Sequence, residues 1–443
     1  MRFSYFLMWC AFQYSFRLYF RKIIIRKKSP YFFGRTIFVS NHQGSFMDPL
    51  LIASLRKPIV HFMVRADVFN RFTNWIFWSL HMLPIYRQRD RVDTVEKNKE
   101  SFIKTNRLLG RRRNILIFGE GFTHDRIQRR LHPIKKGAAR IGFSALIEDG
   151  WRNPVYLQGL GINYSDFNLI GSDVLVDAGN KICLNDYRES YLENPSKTIT
   201  EVTVLLDADM RTLIPDVKTP EMADFHEDLM MLTRKGIHPL CFDPSISFEH
   251  RWQYALELAT WINAHPFEHC QELTVLRDEI ADYKEELCRQ GVSEPERFAA
   301  AEKPSRIIPG LFNVLLHLPF AILGLMHAAL PIHVIKWWVE RTLKRPVYWG
   351  STKMVLAVII VPIINIPFLL WLLAALSCIA PWNWVVASAY FFSIGWFSLA
   401  YLKVLSRLKL MFRLSQVKQK KLKALNDNYF NLIASIRTKI PVA

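Results

Sequence analysis

The sequence predicts an α/β domain set between an N-terminal helix at a membrane interface and one or more C-terminal hydrophobic helical hairpins. Three observations lead there. Over about residues 30–170, short β-rich runs alternate with amphipathic stretches, the pattern of a sheet flanked by helices. From Met354 to Leu402 there are 49 residues without Asp, Glu, Lys or Arg, where about 20 suffice to cross a bilayer. The chain opens on an aromatic, uncharged stretch that turns abruptly basic. Mean hydropathy is slightly positive although 22% of residues are charged, so apolar residues are gathered into segments.

In chain order, residues 1–29 read as an interfacial helix. Phe3 to Phe16 is too short to span, and Arg17, Arg21, Lys22, Arg26, Lys27 and Lys28 come after it, suiting a helix held by apolar burial and anionic lipid. Residues 30–170 form the α/β domain, with buried strands expected at Thr36–Ser40, Ile115–Phe118 and Val155–Leu157. Residues 171–305 read as a mainly helical, charged extension. In 306–350 the uncharged run Ile307–Ile335 carries Pro309, Pro319 and Pro331, which favours a re-entrant or interfacial helical pair over one clean span. Residues 351–405 form a transmembrane hairpin, out over about 354–379 and back over 383–402, and 406–443 a basic tail. Lys344, Arg345 and Lys353 precede the hairpin and Lys403, Arg407, Lys409 and Arg413 come after it, placing both ends, and the α/β domain with them, in the cytosol.

The net charge of +19, from 58 Lys and Arg against 39 Asp and Glu, calls for an anionic partner. Much of it flanks hydrophobic segments and no nucleic-acid-binding motif accompanies it, so membrane lipids, and no nucleic acid, are the expected partners. Six cysteines without a Cys-x-x-Cys pair argue against a zinc ribbon or a disulfide framework. His265, His269 and Cys270 lie close together, but Pro266 breaks their helical spacing and no fourth ligand is near, so no metal is expected.

Chemistry is expected in the turns at the strands' carboxyl ends. In Asn41-His42-Gln43-Gly44-Ser45-Phe46-Met47-Asp48, His42 and Asp48 are six positions apart, about 240° around a helix, and meet only across a turn. A carboxylate on one imidazole nitrogen fixes the tautomer that lets the other take a proton from a hydroxyl. As a bland alternative, Asp48 is the N-cap of a helix with Pro49 in its first turn. Arg65 and Arg87 flank an aromatic segment with Trp75, Phe77 and Trp78, and guanidinium forks suit phosphate. A third turn is Phe118-Gly119-Glu120-Gly121. Beyond it, Lys135 and Lys136 open a helix whose dipole they oppose, which suggests a bound anion.

Together these turns resemble the glycerolipid (lysophospholipid) acyltransferase family. Asn41-His42 through Asp48 resembles its His-Asp box, Ile85-Tyr86-Arg87 its arginine box, Phe118-Gly119-Glu120-Gly121 its Phe-Pro-Glu-Gly box and Gly161-Ile162-Asn163-Tyr164 its last box, in the family's order. Five residues rather than four separate His42 from Asp48, Gly119 replaces proline, Phe122 stands where threonine is usual, and Gly159 where proline is common. The resemblance implies a glycerol-phosphate-acyltransferase-like α/β fold and acyl transfer from acyl-CoA or acyl-carrier-protein to a glycerolipid hydroxyl, that of lysophosphatidate or glycerol-3-phosphate. His42 would be the general base and Asp48 its orienting carboxylate. Arg87, with Arg65, would hold the acceptor phosphate, and Glu120 and Gly121 its glycerol part. Lys135 and Lys136 are further candidates for substrate phosphates. No cofactor is implied beyond the acyl thioester itself. Two alternatives keep the fold: acyl transfer to an amino-acid lipid, and a lipid-binding protein without catalysis.

Overall fold

A computed structural model describes residues 3–26, 34–54, 60–69, 71, 74–86, 94–301, 307–416 and 419–442. The chain divides into two compact units, Met1–Ala223 with Phe248–Thr260, and Asp224–Ser247 with Trp261–Ala443.

The first unit is an α/β fold around a seven-stranded mixed sheet. Its strands are β1 (Phe20–Ile25), β2 (Thr36–Ser40), β3 (Val60–Arg65), β4 (Met82–Ile85), β5 (Asn114–Phe118), β6 (Tyr156–Tyr164) and β7 (Ser172–Cys183), in the order β1-β7-β6-β2-β5-β3-β4. The run from β6 to β4 is parallel, β7 is antiparallel to β6, and β1 pairs parallel with β7. β2 is the middle strand, and all five of its residues are buried, as a strand covered on both faces must be. Ile37 and Val39 share one face with a core that includes Phe143, Leu157, Val202 and Leu206. Because β2, β3, β4, β5 and β6 run the same way, their carboxyl ends line one edge of the sheet.

Among the described residues the helices that accompany the strands include α1 (Phe3–Tyr19), α2 (Met47–Ser54), α3 (Asn74–Ser79), α4 (Thr94–Gly110), α5 (Gly137–Glu148), α6 (Arg188–Glu193) and α7 (Pro195–Arg211). α1 is pinned by the Tyr5 hydroxyl, which donates to the Ala53 carbonyl at 3.2 Å, and by the Tyr19 hydroxyl, which donates to Phe167 O at 2.8 Å.

Two stretches differ from their sequence reading. The expected interfacial helix over 1–29 stops at Tyr19, and Phe20–Ile25 is an edge strand whose β-branched Ile23, Ile24 and Ile25 pair with Val174, Leu175 and Val176. The helical extension expected from 171 begins as strand β7, which forms a hairpin with β6. Asp173, fully buried on β7, ties this edge together. It accepts from the Arg21 guanidinium on β1 and from Arg251 Nη2 at 2.8 Å. Arg251 lies on α9 (Phe248–Ala264), the helix after α8 (Pro220–Thr233).

The second unit is helical. α10 (Gln271–Arg289), α11 (Glu294–Ala301) and α16 (Gln419–Lys439) pack together around buried Arg297, whose guanidinium meets Glu294 and donates to Asn426 Oδ1 at 2.7 Å. The apolar part comprises α12 (Ile307–Gly324), α13 (Leu330–Thr342), α14 (Trp349–Ala375) and α15 (Asn383–Gln416). Among the described residues three helical segments, Val314–Thr342, Pro346–Ala375 and Asn383–Leu410, are long and apolar enough to cross a membrane. The last two cover the expected hairpin. Where a broken re-entrant pair was expected, α12 and α13 run on through a π-helical turn at Leu325–Ala329, with Pro319 inside α12. The tertiary contacts that permit this include Gly324, where a Cβ would stand 2.1 Å from the Phe397 carbonyl oxygen, so glycine lets α12 and α15 approach.

Replacing Asp173 with Ala removes the buried carboxylate that pairs with Arg251, which costs about 3 kcal/mol or more. The melting temperature of the detergent-solubilised protein should fall by roughly 6–12 °C, and a change within about 2 °C would remove Asp173 from the supports of the sheet edge.

Candidate active site

The middle strand ends at Ser40, and the residue after it anchors the turn. Asn41 donates from Nδ2 to Ile162 O at 3.0 Å and accepts from Ile162 N at 2.8 Å, so its side chain completes the seam between β2 and β6. The chain then turns through Gly44 and Ser45, the latter at φ 52°. This brings His42 Nδ1 to 2.8 Å from Asp48 Oδ2. Asp48 lies in the first turn of α2, and it does not cap that helix forwards. Its carboxylate turns back to accept the Gly44 amide at 2.9 and 3.1 Å.

Glycine at 44 is a steric requirement. A Cβ there would stand 2.7 Å from Asp48 Oδ1 and 3.2 Å from both Met47 Cβ and Tyr164 Cε2. Asp48 is fully buried, whereas the His42 side chain keeps one-fifth of its surface open and stacks on Phe118 at 4.0 Å. A carboxylate can only accept, so Nδ1 carries the proton and Nε2 is the nitrogen left for chemistry. Among the described residues Nε2 has no hydrogen-bond partner. Behind the dyad Tyr164 is buried, and burial first, then the nearby Asp48 charge, pushes its phenol well above the ordinary value.

The end of β5 supplies the second wall. Gly119 N donates to Ser40 O at 3.1 Å and Lys135 N donates to Gly119 O at 3.0 Å, so residues 119–135 leave the sheet and return to it. Gly119 is crowded: a Cβ would meet Ile134 Cδ1 at 2.7 Å and Val39 Cγ1 at 2.8 Å. Glu120 is buried and does not extend into open space. Its Oε1 accepts the His42 amide at 2.8 Å and its Oε2 the His132 amide at 3.2 Å. Burial raises its carboxyl above the usual range, and the two amides only partly offset that. Gly121, at φ 72°, lies under the Lys135 ammonium, which is 2.7 Å from where a Cβ would be.

The remaining candidates separate. Lys135 stands over Gly121. Lys136 turns away, its Nζ donating to Thr200 Oγ1 on α7 at 2.7 Å. Arg65 is exposed at the end of β3 and pairs with Asp67 through its Nε and Nη2, one edge of the guanidinium, in a surface ion pair two residues apart. Arg87 lies outside the described residues. The sequence reading missed His132, which donates its backbone amide to Glu120 and whose Nε2 is 2.7 Å from His124 Nε2. Phe122 packs edge-on against both rings, and burial first, then Arg130, lowers the pKa of His132. It also missed Gln43, which donates to Gln128 O at 2.9 Å, and Arg129, buried and donating to Tyr164 O at 2.9 Å. The sequence signal was two histidines eight residues apart beside a glycine turn.

A carboxylate-oriented imidazole at the carboxyl edge of a parallel sheet is the equipment of general-base catalysis. Residues 23–158 match the model of a family described as Acyltransferase, a stretch that holds His42, Asp48 and Glu120. The matching stretch lies within the α/β domain, and the resemblance to an acyltransferase family read from the motifs agrees with it at that level. Among solved structures, the crystal structure of the 1-acyl-sn-glycerophosphate (LPA) acyltransferase, PlsC, from Thermotoga maritima is similar at 15% identity. The alignment covers 45% of this chain and 80% of that chain, with a TM-score of 0.29. No curated protein matches.

Gly44→Ala should cost acyl transfer about 10²-fold, because its methyl displaces the carboxylate that holds the imidazole. Steady-state kinetics on the folded variant check this, and turnover within about threefold of wild type would mean that the turn accepts a methyl without moving the dyad.

Proposed function

We propose that this protein is a membrane-bound acyltransferase that moves a fatty acyl chain from acyl-CoA or acyl-carrier-protein to the hydroxyl of lysophosphatidate or glycerol-3-phosphate. The observation that carries this reading is the 2.8 Å contact of His42 Nδ1 with Asp48, within the stretch that matches the acyltransferase family model.

The dyad suits the following reaction. His42 Nε2 takes the proton of the acceptor hydroxyl as its oxygen attacks the thioester carbonyl. The C–S bond breaks, and the departing thiolate takes that proton from the imidazolium, giving an ester and a free thiol. Asp48 keeps Nδ1 protonated and supports the charge that forms on the ring. The acceptor phosphate is assigned to Arg87 and Lys135. Arg65 is already paired with Asp67 and Lys136 already donates to Thr200, which makes both weaker candidates. The family resemblance gives Glu120 and Gly121 to the acceptor's glycerol. Both Glu120 oxygens are taken by amides in this chain, so the Gly121 backbone is the better candidate.

Three helices fit to cross a membrane support a membrane-bound enzyme, and the basic residues at the open ends of the α14–α15 hairpin favour a cytosolic α/β domain. On that domain Phe3, Phe6 and Leu7 of α1 and Trp75 and Trp78 of α3 are exposed. Ser4 Oγ donates to Ser79 O at 3.4 Å, so the two aromatic helices adjoin. This suits an interface where tryptophan is favoured.

Purified in detergent, the protein should transfer acyl chains from a thioester to one of these acceptors, and His42→Ala should lose about 10²- to 10⁴-fold in kcat. Full turnover by a folded His42→Ala protein would exclude the dyad. In sealed membranes, protease added from the lumenal or periplasmic face should leave the α/β domain whole, whereas rapid cleavage within residues 94–223 would reverse the orientation.

A further inference from the structure

Glu120 has a more specific role open to it than holding substrate. It is 5% exposed, and each of its oxygens accepts a backbone amide from a different segment: His42, the first residue after the Asn41 anchor, and His132, near the returning end of the 119–135 arm. The arm is also tied to the His42 turn by Gln43, which donates to Gln128 O. The carboxylate is the only charged group among these ties, and charge-assisted bonds to backbone amides are about twice as strong as neutral ones. Burial and the neighbouring Asp48 carboxylate both oppose its ionisation.

We propose that Glu120 is a positioning residue: its carboxylate holds the His42 backbone in register with the 119–135 arm, and so sets the imidazole against the acceptor site at Gly121 and Lys135 without touching the acceptor. The inference rests on the acyltransferase reading above. Hydrogen-bond chemistry makes it testable, because a glutamine side chain keeps one acceptor oxygen and replaces the other with a donor. In Glu120→Gln one of the two amides therefore faces an NH2 group, while the shape, the Gln43 tie and the Lys135-to-Gly119 bond remain.

The experiment uses the full chain in detergent, wild type and Glu120→Gln. If Glu120 positions the base, kcat falls about 10- to 100-fold while the acceptor KM stays within about twofold, since a misplacement near 1 Å is enough for such a loss. If Glu120 instead grips the acceptor, the acceptor KM rises and kcat holds, which overturns the proposal. A second readout needs no turnover. With 15N-histidine labelling, the backbone amide resonances of His42 and His132, identified by their disappearance in His42→Ala and His132→Ala, should both move in Glu120→Gln, and those of distant histidines should not. Unmoved His42 and His132 amides overturn the strut whatever the kinetics. A wild-type protein that transfers no acyl chain would instead defeat the acyltransferase reading, with the amide shifts still deciding the role of Glu120.

Discussion

The contact between His42 and Asp48 depends on one constraint: six residues of chain must fold back on themselves at the end of a fully buried strand. A helix would point the two side chains apart, and an extended chain would carry them out of reach. Asn41 bonds to β6, Ser45 takes a left-handed conformation, and Gly44 leaves room for the carboxylate it also binds. The sheet supplies the rest. With β2 between β6 and β5, the turn lies between the Ile162–Tyr164 strand end and the Gly119–Glu120 exit, so three separate sequence motifs meet because three neighbouring parallel strands end on the same edge.

What was legible in the sequence is what repeats with a period. Thr36–Ser40 is the strand its apolar run implied, Ile115–Phe118 lies within β5, and α5 begins at Gly137, directly after Lys135 and Lys136. The edge strands were hidden for physical reasons. β1 continues from an aromatic helix without a break and carries charges on its exposed positions, so it reads as the basic end of that helix. β7 contains Asp173 and Asp177, residues a strand seldom buries, and their basic partners are Arg21 on β1, Arg26 just after it and Arg251 on α9. The site was legible in its dyad and not in its supports. Bonds from side chain to backbone, such as Gln43 to Gln128 or Glu120 to His132, leave no periodic trace, and the Lys136 contact with Thr200 spans 64 residues.

The apolar helices show the same hydrogen-bond logic used for a different end. His327, in the π-helical turn, is buried, and both its ring nitrogens are engaged: Nδ1 with Asn365 Oδ1 at 2.6 Å and Nε2 with the Tyr390 hydroxyl at 2.8 Å. Asn365 Nδ2 donates to the carbonyls of His327 and Val361 at 2.9 and 2.8 Å. The amide oxygen is therefore the acceptor, and the ring donates from Nδ1. One residue from each of three long apolar helices joins this network, which satisfies polar atoms that hydrocarbon would leave without partners.

His42 and His327 therefore carry the same tautomer, each donating from Nδ1 to a fixed oxygen. Their difference lies at Nε2. In His327 a tyrosine hydroxyl closes the ring's second site, and the side chain is complete as a fastener between helices. In His42 the second site has no partner among the described residues, and the ring keeps one-fifth of its surface open while its carboxylate has none. An imidazole oriented on one side and left unfilled on the other is held ready for a proton that the protein does not itself supply. The two side chains thus differ in which of their nitrogens the fold leaves unbonded among the described residues.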